Sequence, residues 1–117
     1  EGTAIRDWLF VEDFARGIEA GLSRWQDQAT WHFAGQQHME NRRTAGRINS
    51  ILDAGGLSFG PDRQGQDSRY ALNDMATRAA LDWAPRVSLE DGLLATIDWY
   101  RHNAELWDAS EIGLSVH

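Results

Sequence analysis

The sequence predicts a small α/β unit of the α+β kind, mostly helices with a few short strands between them. Three observations carry that prediction. Apolar residues recur at helical spacing in four separate stretches, short β-branched or aromatic runs lie between those stretches, and no internal repeat is present. With 117 residues, 42% of them apolar, the chain is one domain or part of one, with enough apolar residues for a single modest core.

Taken in order, residues 5–10 are short and bulky-apolar and read as a strand. Residues 11–22 switch to helical spacing, with Val11, Phe14, Ala15, Ile18 and Leu22 as the face expected to be buried. Glu12 and Asp13 fall in the first turn, where carboxylates suit the positive end of the helix dipole. Residues 25–28 form a polar connection. Residues 30–33 carry β-branched and aromatic side chains before Ala34-Gly35, a strand followed by a turn. A second helix is expected over 41–52, buried through Ala45, Ile48, Ile51 and Leu52, with Gly55-Gly56 as its positive-φ stop. Residues 57–59 read as a short strand, and 62–67 as a loop. Asn73 or Asp74 caps a third helix that runs to about Leu81. Trp83-Ala84-Pro85 ends that pattern, because the residue before proline avoids helical geometry. Ser88 and Asp91 form a variant capping box for a last helix over 89–103, buried through Leu89, Leu93, Ile97 and Tyr100. The tail after Trp107 is weakly patterned. Strands so scattered make a poor sheet of their own, so at least one is expected to pair outside this chain.

Charge and composition narrow the function. Eleven basic residues against 18 acidic ones give a net charge of −7, which excludes a general nucleic-acid binder, since that needs a basic footprint. A small anion is a different matter, because two well-placed arginines hold a diphosphate inside an acidic protein. With no cysteine there are no disulfides or thiolate metal sites, and the expected compartment is the cytoplasm. No apolar run of about 18 residues is present to span a membrane. Glu1 is not an initiator methionine, and the opening residues read as the interior of a longer chain.

No catalytic signature is present. There is no glycine fingerprint for a dinucleotide, no phosphate loop ending in Lys-Ser/Thr and no nucleophile elbow. Every basic residue is arginine, so a Tyr-x-x-x-Lys hydride-transfer site is excluded. His32, His38, His102 and His117 include no pair at i, i+4, and no metal site is expected. One constellation stands out: Arg6 near a strand start, with Arg63 and Arg69 bracketing a glycine-bearing loop. Guanidinium forks suit the paired oxygens of a diphosphate, and glycine lets the backbone approach a ligand. The alternative is that Arg6 pairs with a neighbour and that Arg63 and Arg69 are ordinary loop charges.

These residues also resemble a family. Arg6-Asp7-Trp8-Leu9-Phe10-Val11-Glu12-Asp13, followed by Ala15-Arg16, is similar to the R-D-W-[LIF]-[YF]-V-[ED]-D-x-[AV]-R segment of the dTDP-glucose 4,6-dehydratases, which are extended short-chain dehydrogenase/reductases. Gly35 with Asn41 resembles the family's glycine turn before a helix that opens with a substrate-contacting asparagine. Residues 62–72 are similar to D-R-P-G-H-D-x-R-Y-A-[IL], residues 81–85 to L-G-W-x-P, and Ser88-Leu89-Glu90-Asp91-Gly92-Leu93, with Thr96 and Trp99-Tyr100, to the final amphipathic helix. These segments follow the family's order along nearly the whole chain.

The resemblance implies that residues 1–117 are one partial, carboxy-terminal sugar-nucleotide-binding domain whose Rossmann half is absent. It implies that Arg6 and Arg63 contact the diphosphate of a dTDP-sugar, that Asn41 hydrogen-bonds the substrate, and that the loop of Asp62, Arg63, Gln64, Gly65 and Gln66 wraps the nucleotide. NAD and every catalytic residue are expected in the missing half, and the parent protein is expected to be a homodimer. The sequence departs from the family where Gln64 and Gln66 replace Pro and His, where Asp82 replaces Gly, and in a shorter connection between Leu52 and Leu57. Gln66 still donates a hydrogen bond but carries no charge. Those departures leave open the lobe of a related epimerase or decarboxylase, a stand-alone nucleotide-binding module, and a degenerate structural domain.

Overall fold

The computed structural model describes residues 1–25, 29–53 and 55–106. Its elements are β1 (Ile5–Asp7), α1 (Val11–Ser23), β2 (His38–Glu40), α2 (Asn41–Leu52), β3 (Arg69–Tyr70), α3 (Met75–Leu81), α4 (Leu89–His102) and a single 3₁₀ turn at Ala104–Leu106. The helices fall where apolar spacing puts them. The strands do not.

The chain over 30–33 makes no ladder, the pairing segment being His38–Glu40, and Arg69–Tyr70 takes the place expected of residues 57–59. The strands pair with one another in the order β2-β1-β3, rather than lying scattered. β1 and β2 run antiparallel, with Ile5 opposite Glu40 and Asp7 opposite His38, while β1 and β3 run parallel, with Arg6 opposite Tyr70. Each strand is two or three residues long, too short to show a period of two, so tertiary pairing alone selects them.

The first helix packs on the face opposite to the expected one. Val11 and Leu22 are 67% and 64% exposed, and Phe14 and Ile18 are exposed too, whereas Asp13, Gly17 and Gly21 are buried. A Cβ on Gly17 would lie 2.6 Å from the Phe33 ring, and one on Gly21 would lie 3.3 Å from Trp31. The missing side chains thus admit an aromatic layer in which Phe33 meets Phe14 and Trp83 edge-on, with centroids 5.8 and 5.0 Å apart. Leu81, Trp83, Ala34, Ala4 and Ile97 are the buried apolar residues among those described.

Two buried aspartates lock this core. Asp13 Oδ2 accepts hydrogen bonds from the backbone amides of Arg86 and Val87, both at 2.9 Å, and Oδ1 pairs with Arg16. The Trp83 indole donates to the Asp13 carbonyl at 3.0 Å. Burial by itself pushes Asp13 toward the neutral acid, but the donors from Val87, Arg16 and Arg86 together outweigh it and hold the carboxyl below its ordinary range. Asp74 accepts from the Ala34 amide, Gln36 and Arg78, the last at 2.9 Å. It does not cap α3 by its side chain, and Asn73 does so instead, accepting from the Met75 amide at 3.1 Å.

Helix ends show further local chemistry. The positive-φ stop of α2 falls on Asp53 (φ 51°) instead of on Gly55, although Gly56 is also positive at 150°. Asp82 ends α3 in the same left-handed region, at φ 48°. Ser88 caps α4 by accepting from the Asp91 amide at 3.1 Å, and its hydroxyl donates to the Asp91 carboxylate at 2.6 Å. In α4 Ile97 is buried as expected, Leu89 and Leu93 are half-buried, and Tyr100 is exposed. In α2 the buried residue is Thr44, and Leu52 is exposed. The expected polar connection lies partly outside the described residues, as the tail after Trp107 does wholly.

Candidate functional site

The sheet decides which polar residues meet. Ile5 donates its amide to the Ser68 carbonyl at 2.8 Å, so β1 sits directly beside the end of the 62–67 loop. On the other side, the Asn41 amide donates to the Ala4 carbonyl at 3.0 Å and the Arg42 amide to Gly2 at 2.8 Å. The start of α2, whose first amides lack intrahelical partners, is therefore stitched to the residues before β1. Arg6, Asn41 and the loop face one cleft of about 480 Å³.

That cleft is lined by Arg6, Asn41, Asp62, Arg63 and Gln66, five of the residues singled out in the sequence. Arg6 does not pair with Asp7. Its Nη1 donates to the carbonyls of Ile5 at 2.8 Å and Asp67 at 3.1 Å, which orients the guanidinium, and no carboxylate pairs with it among the described residues. The Arg63 side chain has no hydrogen-bond or ion-pair partner among the described residues. The basic residues next to Asn41 are occupied, since Glu40 lies 2.7 Å from Arg42 and 3.7 Å from Arg43.

Gln64 and Gly65 do not line the cleft. They are the middle of a turn in which the Gln66 amide donates to the Arg63 carbonyl at 3.2 Å, with Gly65 at φ 74°. A positive φ at the third residue of such a turn is the reason for glycine there. The Gly65 turn therefore aims Arg63 and Gln66 at the cleft without touching its contents.

Arg69 also stays outside. Its Nη2 lies 3.3 Å from His38 Nδ1, and His38 Nε2 lies 3.6 Å from Asp7 Oδ2. Guanidinium only donates, so Nδ1 accepts and the ring proton of a neutral His38 sits on Nε2, facing Asp7. This chain of contacts cross-links β3, β2 and β1. Asp7 Oδ1 also accepts from the Gln37 amide at 2.9 Å.

Sequence reasoning missed Phe59, Gly60 and Pro61, which share the cleft wall. The Gly60-Pro61 pair was the available signal, since it marks irregular chain and argues against a strand over 57–59. A larger, mostly apolar groove of about 730 Å³ runs between the end of β1 and α4, past Trp8, Phe10, Ile48, Leu93 and Thr96. Among the described residues no cluster of His, Asp and Glu suits a metal, and no helix is long and apolar enough to cross a membrane.

No protein-family model matches the chain. A solved epimerase from Methanothermobacter thermautotrophicus superposes with a TM-score of 0.80 at 30% identity, over 91% of this chain and 32% of its own. More specifically, the chain is related to the dTDP-glucose 4,6-dehydratases, as its motifs imply. The Streptomyces griseus enzyme is 34% identical over 110 residues, 92% of this chain and 34% of its own length. The Streptomyces venezuelae enzyme, solved with NAD bound, superposes with a TM-score of 0.86 at 32% identity, over 92% of this chain and 34% of that one. The chain thus spans about one third of the length of the relatives it matches.

Proposed function

We propose that this chain is the carboxy-terminal, substrate-binding lobe of a sugar-nucleotide 4,6-dehydratase, and that the 480 Å³ cleft holds the nucleotide diphosphate of a dTDP-sugar. The observation that carries the reading is the convergence of Arg6 and Arg63 on one cleft, although 57 positions separate them in the sequence. Arg6 is braced by two backbone carbonyls, and Arg63 extends from the Gly65 turn. The pair forms a clamp for the oxygens of two phosphates. Asn41 and Gln66 supply neutral hydrogen bonds to the rest of the substrate.

The residues present do not fit NAD. The chain has no glycine fingerprint and no lysine to complete a hydride-transfer site, so no redox step is assigned to it. In this reading the cofactor and the catalytic groups belong to an amino-terminal Rossmann half, and the lobe turns over nothing alone. The apolar stripe left bare on α1 is a surface that such a half would cover, with the parent enzyme working as a cytoplasmic homodimer. The second reading is a lobe of a related epimerase, favoured by the superposition on the Methanothermobacter protein.

Calorimetric titration of the chain with dTDP tests the site. Binding is expected, and Arg63→Ala should weaken it by about tenfold or more, the worth of one charge-assisted hydrogen-bonding group. Equal affinity in the variant would remove Arg63 from the site.

A further inference from the structure

The end of the cleft loop is held to the sheet by successive residues, and one of these contacts runs through a histidine. The Arg6 guanidinium donates to the Asp67 carbonyl at 3.1 Å, and the Ile5 amide donates to the Ser68 carbonyl at 2.8 Å. The next residue, Arg69, lies opposite Ile5, and its Nη2 is 3.3 Å from His38 Nδ1 on β2. The other ring nitrogen is 3.6 Å from Oδ2 of Asp7, whose side chain is 7% exposed, and this oxygen is buried without a hydrogen-bond partner. A buried carboxylate oxygen is costly to leave unserved, and the Nε2–H of a neutral His38 is the donor that faces it. The Asp7–His38 pair flanks the Arg6–Met39 pair in the ladder, so this bridge sits one residue from the cleft arginine.

We infer that neutral His38 is a positioning residue for the cleft, tying the end of the loop to β1, and that proton uptake at Nδ1 unties it. The protonated ring has two donors and no acceptor, so it meets the Arg69 guanidinium as a second cation. Asp7 attracts that cation from the other side but restores no acceptor for Arg69. Among the described residues Asp7 from β1 and Arg69 from β3 are the charged groups facing the ring, since Glu40 on the same strand is taken up by Arg42 and Arg43 of α2. Proton uptake therefore frees Arg69 and, with it, the end of the loop that carries Arg63 and Gln66 into the cleft. The consequence for nucleotide affinity rests on reading that cleft as a diphosphate site.

The test compares the full 117-residue chain with its His38→Gln and His38→Leu variants, each first checked for folding by circular dichroism. Glutamine keeps an acceptor for Arg69 and a donor for Asp7 without titrating, and leucine supplies neither. At about pH 8, His38→Leu should bind dTDP roughly 3- to 10-fold more weakly than the parent, and His38→Gln within about twofold of it. Going down to about pH 5 crosses the range in which histidine changes charge. The parent should lose affinity relative to His38→Gln over that range, a ratio that cancels the titration of dTDP and of the other histidines. In amide NMR spectra of the ligand-free chain, the Gly65 and Gln66 signals should move with the His38 ring signal in the parent and stay still in His38→Gln. Equal affinity in His38→Leu, a loss that glutamine does not rescue, or loop signals that ignore the ring each overturn the positioning role. If the unaltered chain binds no dTDP, the diphosphate reading fails, and the ligand-free spectra still decide whether His38 holds the loop.

Discussion

At the scale of single residues, backbone geometry explains choices that side-chain chemistry does not. A Cβ on Gly35 would fall 1.7 Å from the Trp8 carbonyl oxygen, so no other residue fits where the chain crosses β1's exit. Asp82 is the converse case. It stands where the L-G-W-x-P motif that the sequence resembles has glycine, and its φ of 48° lies in the left-handed region that glycine enters freely. Asp82→Gly is therefore expected to stabilise the chain by about 0.5–1 kcal/mol, read as a higher urea midpoint at unchanged slope; a lower midpoint would mean that the carboxylate has a role of its own. The cleft was legible at this scale because arginine, asparagine and glycine advertise their chemistry. Arg6 and Arg63 stood out that way, whereas Asn41, Asp62 and Gln66 followed from the motif resemblance, and all five line the cleft. Phe59 was missed, since Leu57-Ser58-Phe59 has the composition of a strand. Arg69 misled, because nothing in its neighbours in sequence reveals that His38 waits across the sheet.

Among elements, α1 and the segment after α3 are joined by charge as well as by packing. Asp13 has its carboxyl held below the ordinary range, so its contribution to stability is complete above that range and fades as pH falls through the depressed value. Urea unfolding at pH 7, 4 and 3 should show a falling midpoint. Asp13→Asn should be less stable at pH 7 and lose part of that acid dependence; a variant with the parent's full pH response would acquit Asp13. The helices were readable from their apolar period and caps, and the boundaries of α2 agree with the spacing. The buried side of α1 was not. Glycine carries no hydrophobic signal, yet Gly17 and Gly21 face the aromatic layer while the apolar stripe faces out. A period identifies a face, and the partner on that face decides whether it is covered.

For the molecule as a whole, the exposed stripe of Val11, Phe14, Ile18 and Leu22 bears on how the chain behaves in solution. Docking faces between domains of one chain cover roughly 600–1,500 Å², and a bare apolar face invites self-association. Light scattering should show concentration-dependent assembly of this chain, reduced by Ile18→Lys with Leu22→Glu at little cost in stability, since both side chains are exposed. A parent chain that stays monomeric over a hundredfold range of concentration would count against it. The helix-rich class was legible from composition and spacing, but the three-stranded sheet was not, because its pairings join residues far apart in sequence. That distance has a consequence during synthesis. Ile5 cannot meet Arg69 until the latter has left the ribosome, and at about 5–20 residues per second that takes roughly 3–13 s. Through that interval α1 and α2 can form while the cleft does not exist. A nascent chain stalled before β3 should be blind to nucleotide, and the ligand can act as a folding aid only for chains already translated past Tyr70.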